Sequence, residues 1–138
     1  MVEMEAFIAE HQISAQVALT GRIAFESLPG YLLLANAGIE PKRSASGEGS
    51  GKLLHYMAAG LALAAFPTEH NLSIAGADAL ATGNTPADLA RRIEMLADDR
   101  ALCRAAGQAN RDQARAYSLE DGGETIAGIY QALGSTLN

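Results

Sequence analysis

Tryptophan is absent from this chain, cysteine occurs once, and aromatic residues make up only 5% of it. A lone Cys103 excludes an internal disulfide and cannot by itself form a zinc site. It lies in an alanine-rich helical stretch, where it reads as a small core residue, and a reducing, cytoplasmic setting suits it. Basic residues are also scarce: ten Lys and Arg stand against 16 Asp and Glu, for a formal net charge of −6. Binding to nucleic acid needs a basic surface, so nucleic acid is not the expected partner, and the Lys42–Arg43 pair is not a patch. Long apolar runs are missing as well. The longest, Met57 to Phe66, is too short to span a bilayer and is broken by Gly60, so no integral membrane segment is expected. The first residues carry Glu3 and Glu5 instead of a basic stretch, which does not fit a signal peptide.

What is present is a chain of 138 residues, 49% hydrophobic, read as one domain over 1–138. Much of the apolar content is alanine, which lets backbones approach but buries little area, so modest stability is expected. The pattern alternates. Glu3 to His11 reads as a short helix and Val17 to Leu19 as a short strand ending at Thr20-Gly21. Ser27 to Asn36 reads as a helix with Pro29 near its start. Gly38-Ile39 begins a second strand, stopped by Pro41, and residues 42–51 form a polar loop of small residues. Lys52 to Ala59 is helical. Leu61 to Phe66 is a continuous apolar run of strand length, suited to a parallel strand buried on both faces. Asn71 to Ala75 gives one or two helical turns, and Ala79 to Thr82 a fourth strand.

The rest is helical. Thr85, Pro86 and Asp88 form a capping signal, after which Leu89, Ile93 and Leu96 share a face. A helix over about 100–117 turns Leu102, Ala106 and Ala109 inward. Ser118 and Asp121 cap a last helix with the stripe Ile126, Ile129, Tyr130 and Leu133. Strands alternating with helices imply an α/β fold: an incomplete Rossmann-like parallel sheet of about four strands, helices on both faces and a helical C-terminus.

The stretch 46–53, SGEGSGKL, approaches a phosphate-binding P-loop. That motif requires a glycine where Ser46 stands and Ser or Thr where Leu53 stands, so an NTPase is excluded. The general physics remains. Gly47, Gly49 and Gly51 let backbone N–H groups approach an anion, a helix N-terminus follows, and Lys52 adds charge. The plainer alternative is a flexible glycine loop beside a solvated lysine. His11, His55 and His70 are scattered, so no metal site is expected, although His70 falls in the segment after the Leu61–Phe66 strand, at the sheet end where ligands bind. No G-x-S-x-G elbow occurs.

The stretch TGRIAFESLPGYLLLANAGIEP, followed by GEGSGKLLHYMAAGLALAAF, resembles the nucleotide-sugar-binding C-terminal domain of GT-B, family-4-like glycosyltransferases. In that family a strand leads through a Glu-Gly loop to a helix ending E-x-M-A-x-G, and then to the next strand. The segment from Gly83 to Tyr130 is similar to its closing helices, so the resemblance covers nearly the whole chain. It implies that Glu48 is the catalytic residue and meets the donor sugar. It also implies that Gly49, Ser50, Gly51 and Lys52 hold the diphosphate, and that His55 stands where a second glutamate would grip the ribose. Gly21 and Arg22 would lie near the same cleft; Arg22 also reads as a surface arginine after a strand. The departures are specific. A neutral imidazole accepts one hydrogen bond where a carboxylate accepts several, and a plain helix histidine is the other reading of His55. Six residues, 49 to 54, separate Glu48 from His55, one fewer than the family spacing. Ala62 replaces a proline.

The resemblance begins partway into the family domain, which opens with two strands and a helix that have no counterpart here. A sheet without those strands closes up or leaves edges unpaired. The expectation is a four-strand rearrangement, a homodimer, or a partner chain that completes the sheet. Two functions follow. One is a glycosyltransferase-like domain that binds a nucleotide-sugar as substrate, requires no cofactor and is inactive alone. The alternative is a non-catalytic Rossmann-like binding or interaction module.

Overall fold

The computed structural model describes residues 2–43 and 51–136. In chain order the elements are α1 (Val2–Glu10), α2 (Leu28–Leu33), β1 (Ala37–Glu40), α3 (Gly51–Ala58), β2 (Ala62–Ala65), α4 (Glu69–Ala75), α5 (Pro86–Asp98), α6 (Arg100–Ala114) and α7 (Leu119–Thr136). Short 3-10 turns cover Phe25–Ser27, Ala77–Ala79 and Arg115–Tyr117. The fold is α/β and mostly helical, around a sheet of two parallel strands with Ala37 beside Ala62 and Glu40 beside Ala65.

β2 is the centre of the core, and all four of its residues are buried. Alternation along the strand sends Leu63 and Ala65 to one face, against Leu53 and Met57 of α3 and Ile74 and Ala75 of α4. Ala62, Ala64 and Phe66 face the other way, against Leu89 and Leu96 of α5 and Cys103 of α6. Helices thus cover both faces, as the continuous apolar run implies. The wholly buried Leu53, Met57 and Leu63 each contribute about 1.5–3 kcal/mol of transfer free energy. Cys103 is the small core residue expected, its Sγ 3.5 Å from the Asn36 carbonyl.

Among the described residues the sheet stops at two strands, for a local reason on the β2 side. The carbonyls on the outer edge of β2 are taken by groups other than a strand. Asn110 Nδ2 donates to Leu61 O at 2.8 Å, Arg92 Nε to Leu63 O at 3.0 Å, and Ala81 N to Ala65 O at 2.9 Å. Buried carbonyls require partners, and two side chains together with one backbone amide replace the neighbouring strand. The expected fourth strand over Ala79–Thr82 is therefore a 3-10 turn followed by a single strand-like bond from Ala81. The expected strand at Val17–Leu19 is not formed either. That segment lies in no helix or strand, is mostly exposed and has no strand partner among the described residues.

Two helix faces also differ from expectation. In α6 the buried residues are Cys103, Gly107 and Asn110; of the three residues expected inward, Ala106 packs partly buried against the Cys103 cluster, while Leu102 and Ala109 are exposed, so the centre of the stripe is shifted by one residue. The cause is close packing at Gly60. A Cβ on Gly107 would overlap the Gly60 carbonyl, so only glycine lets α6 approach there. Gly60 itself has φ +77° and ends α3 in a Schellman turn, with Leu61 N donating to Tyr56 O and Gly60 N to Met57 O. In α5, Leu89 and Leu96 are buried as expected, but Arg92 lies between them while Ile93 is partly exposed. The stripe Ile126, Ile129, Tyr130 and Leu133 of α7 was expected to pack and is instead exposed.

The capping signals hold. Thr85 Oγ1 accepts from Asp88 N while Asp88 Oδ2 accepts from Thr85 N. Asp99 adds a cap that was not among these signals: its Oδ1 accepts from Ala101 N and Leu102 N at 2.9 Å each. Ser118 Oγ accepts from Asp121 N at 3.1 Å.

Candidate functional site

Parallel strands present their carboxyl ends together, and ligands of open α/β sheets bind there. At this end β1 delivers Glu40, Lys42 and Arg43, β2 delivers Phe66 and the turn through Thr68, and α3 delivers Gly51 and Lys52. Gly38 and Glu40 share the face of β1 that meets α3, where Tyr56 lies over Gly38 and Lys52 reaches Glu40.

Glu40 is the residue that the sequence reading missed. It is 1% exposed. Its Oε1 accepts from Lys42 N at 3.1 Å, and its Oε2 lies 3.4 Å from Lys52 Nζ. A buried carboxylate is costly unless paired and hydrogen-bonded, and this one is both. The signal lay in the strand itself: alternation puts Glu40 on the same inward face as Gly38. On the other face of the sheet, the Arg43 guanidinium sits 4.9 Å from the Phe66 ring centroid, a cation–π distance. The strand ends thus carry the buried carboxylate and its lysine on the α3 face and the Arg43–Phe66 pair on the opposite one.

Of the residues expected at the site, Glu48, Gly49 and Ser50 lie outside the described residues. Gly51 and Lys52 form the first described turn of α3, at the carboxyl end of the sheet. The Lys52 charge is shared with Glu40 and is not wholly available to an anion. His55 is exposed on α3, edge-on to Phe25 with centroids 6.2 Å apart. It rims an apolar groove of about 300 Å³ between α2 and α3, lined by Phe25, Leu28, Leu32 and Ala59 among others. Gly21, at φ +65°, and Arg22 are exposed, and neither side of this pair makes a hydrogen bond or ion pair among the described residues. His70 is partly buried in the first turn of α4, following the Thr68 cap that accepts from Asn71 N at 3.2 Å. The geometry therefore joins Lys52 and Glu40, places His55 on the same helix facing α2, and leaves Gly21 and Arg22 without a bond to either.

Among the described residues no cluster of three His, Cys, Asp or Glu is placed to hold a metal ion. No described helix is long and apolar enough to cross a membrane. No protein-family model, no curated protein and no solved structure matches this chain.

Proposed function

We propose that the carboxyl end of this sheet binds the diphosphate of a nucleotide-sugar, as a glycosyltransferase-like donor domain that is inactive alone. The observation that carries the reading is the strand–loop–helix unit β1–α3. A parallel strand ends at Glu40, residues 41–50 follow, and α3 begins beside it with Gly51 and Lys52. A helix N-terminus with a lysine in its first turn favours negative charge through its free N–H groups and its dipole. In this reading Lys52 leaves Glu40 for the diphosphate, and Glu48 meets the sugar. His55 supplies one acceptor to a ribose hydroxyl, where a carboxylate would supply more. Catalysis by such a site consists of stabilising the departing nucleoside diphosphate electrostatically.

Ligand-observed NMR against a panel of nucleoside diphosphates and their sugars tests it. The expected result is saturable binding of one base, weakened in Lys52→Ala and Glu48→Ala. Glu40→Gln is expected to tighten binding, because it removes the carboxylate that competes with phosphate for Lys52. No signal at about millimolar ligand, or binding indifferent to all three changes, rejects the site. The non-catalytic reading draws on a different observation: among the described residues the sheet has only two strands, and α1 and α7 bury none of their described side chains. A partner protein would be its natural ligand, and unchanged behaviour of Glu48→Ala favours it.

A further inference from the structure

The two edges of the sheet are unlike. β2 is sealed: its outward carbonyls are occupied and its residues wholly buried, so no further strand has access. β1 is open. Ala62 N donates to Asn36 O at 3.1 Å, which fixes the phase of the ladder. In a parallel ladder alternate residues bond to the neighbour, so Gly38 and Glu40 turn their backbone groups to β2 while Ala37 and Ile39 turn theirs away. Neither Ala37 nor Ile39 finds a partner for those outward groups among the described residues. Ile39 is also 47% exposed in mid-strand. No lysine, proline or bulge interrupts the strand between Ala37 and Glu40, although these are the usual guards of a free edge.

We propose that two copies of this chain associate through β1, antiparallel across a two-fold axis at Gly38, to make one four-stranded sheet in the order β2–β1–β1–β2. The edge is complementary to itself in that register. Ala37 of one copy stands opposite Ile39 of the other, and the two exchange N–H and C=O bonds in both halves of the dyad, so that all four open groups on each edge are satisfied. Gly38 meets Gly38 as the non-hydrogen-bonded pair, at a Cα separation of about 4.5 Å. Side chains agree as well. Ala37 and Ile39 point to the same face, so each isoleucine covers its partner's alanine, a large residue over a small one. Contacts of this isologous kind are closed and stop at two copies. The strand has only four residues, so the dimer is a weak one of the small-interface class.

Sedimentation equilibrium of the chain from about 5 to about 500 µM tests the association, and an isotope-filtered NOE experiment on mixed labelled and unlabelled protein tests the register. A mass rising towards the dimer, with an intermolecular Gly38 Hα–Gly38 Hα contact, is the expected result. Ile39→Pro removes an N–H that makes no bond within the copy and is expected to raise the dissociation constant by more than about tenfold; Ile39→Lys serves if the proline variant does not fold. A chain that stays monomeric throughout overturns the proposal. So does a dimer that survives both Ile39 variants, or one that lacks the Gly38 contact and dissociates with Ile129→Lys on α7.

Discussion

Arg92 offers the sharpest test of how the sheet is closed. Its side chain is buried on α5. Nε donates to Leu63 O and Nη2 to Ala79 O, each at 3.0 Å. It forms no ion pair among the described residues, and burial pushes its pKa below the usual arginine value. Arg92→Met keeps the volume and removes both donors. Leu63 O then has no partner inside the core, a loss of about 1–3 kcal/mol, while the partly exposed Ala79 O regains water. Against this, removing an unpaired buried charge returns part of its desolvation cost. The net expectation is destabilisation by about 1–2 kcal/mol. For a chain of this length that lowers Tm by roughly 3–7 °C, readable by circular dichroism or calorimetry. Arg92→Lys should fall between the two, since one ammonium at that reach serves one carbonyl well. A methionine variant as stable as the parent, or more so, would refute the argument: the guanidinium would then be a tolerated cost and not the closure of the strand edge.

Three further outcomes follow from the packing. Gly107→Ala places a methyl against the Gly60 carbonyl and should destabilise by about 1–3 kcal/mol, measured as a shift of the urea midpoint at unchanged slope. Ending the chain after Ser118 removes α7, whose described side chains are all exposed, and should leave Tm within about 2 °C of the parent; a larger fall means that α7 packs on the core. Asp88 is held below its ordinary carboxylate value first by the Thr85 hydroxyl and then by the Thr85 N–H. A depressed carboxylate stabilises above its unfolded pKa and loses that contribution as pH falls through the lower folded value. The stability gap between parent and Asp88→Ala, from urea titrations, should therefore be full at pH 6 and shrink as the pH drops below about 3.8.

Legibility in the sequence followed the range of the forces involved. The Thr85–Asp88 cap and the run Leu61–Phe66 were readable because their causes are local: a hydroxyl three residues from an amide, and a strand with no polar face. The α6 stripe was read one residue out of phase because Gly107 and Asn110 look like surface residues until Gly60 is beside them. Arg92 and Glu40 were hidden for a related reason. Composition sends charged side chains to water, and only the carbonyl row of β2 and the lysine of α3 explain their burial. The four-strand expectation failed at the same place, since nothing local reveals that an asparagine and an arginine stand in for a strand. Of the site, Lys52 and His55 fall on one helix as the sequence implies, while Glu40, the partner of Lys52, needed the fold.

Gly60 is the point where α3 ends, β2 begins and α6 comes closest. Contact there leaves no slack, whereas the far end of α3 is tied by an ion pair whose lysine is exposed. Between these ends Leu53 and Met57 are wholly buried against β2, so the helix is held along its length. At 1.5 Å of rise per residue its eight residues span about 12 Å, which makes α3 a fixed strut that sets Lys52 at the carboxyl end of the strands. Drawing Lys52 off Glu40 would thus swing one exposed side chain and leave the helix and the core where they are.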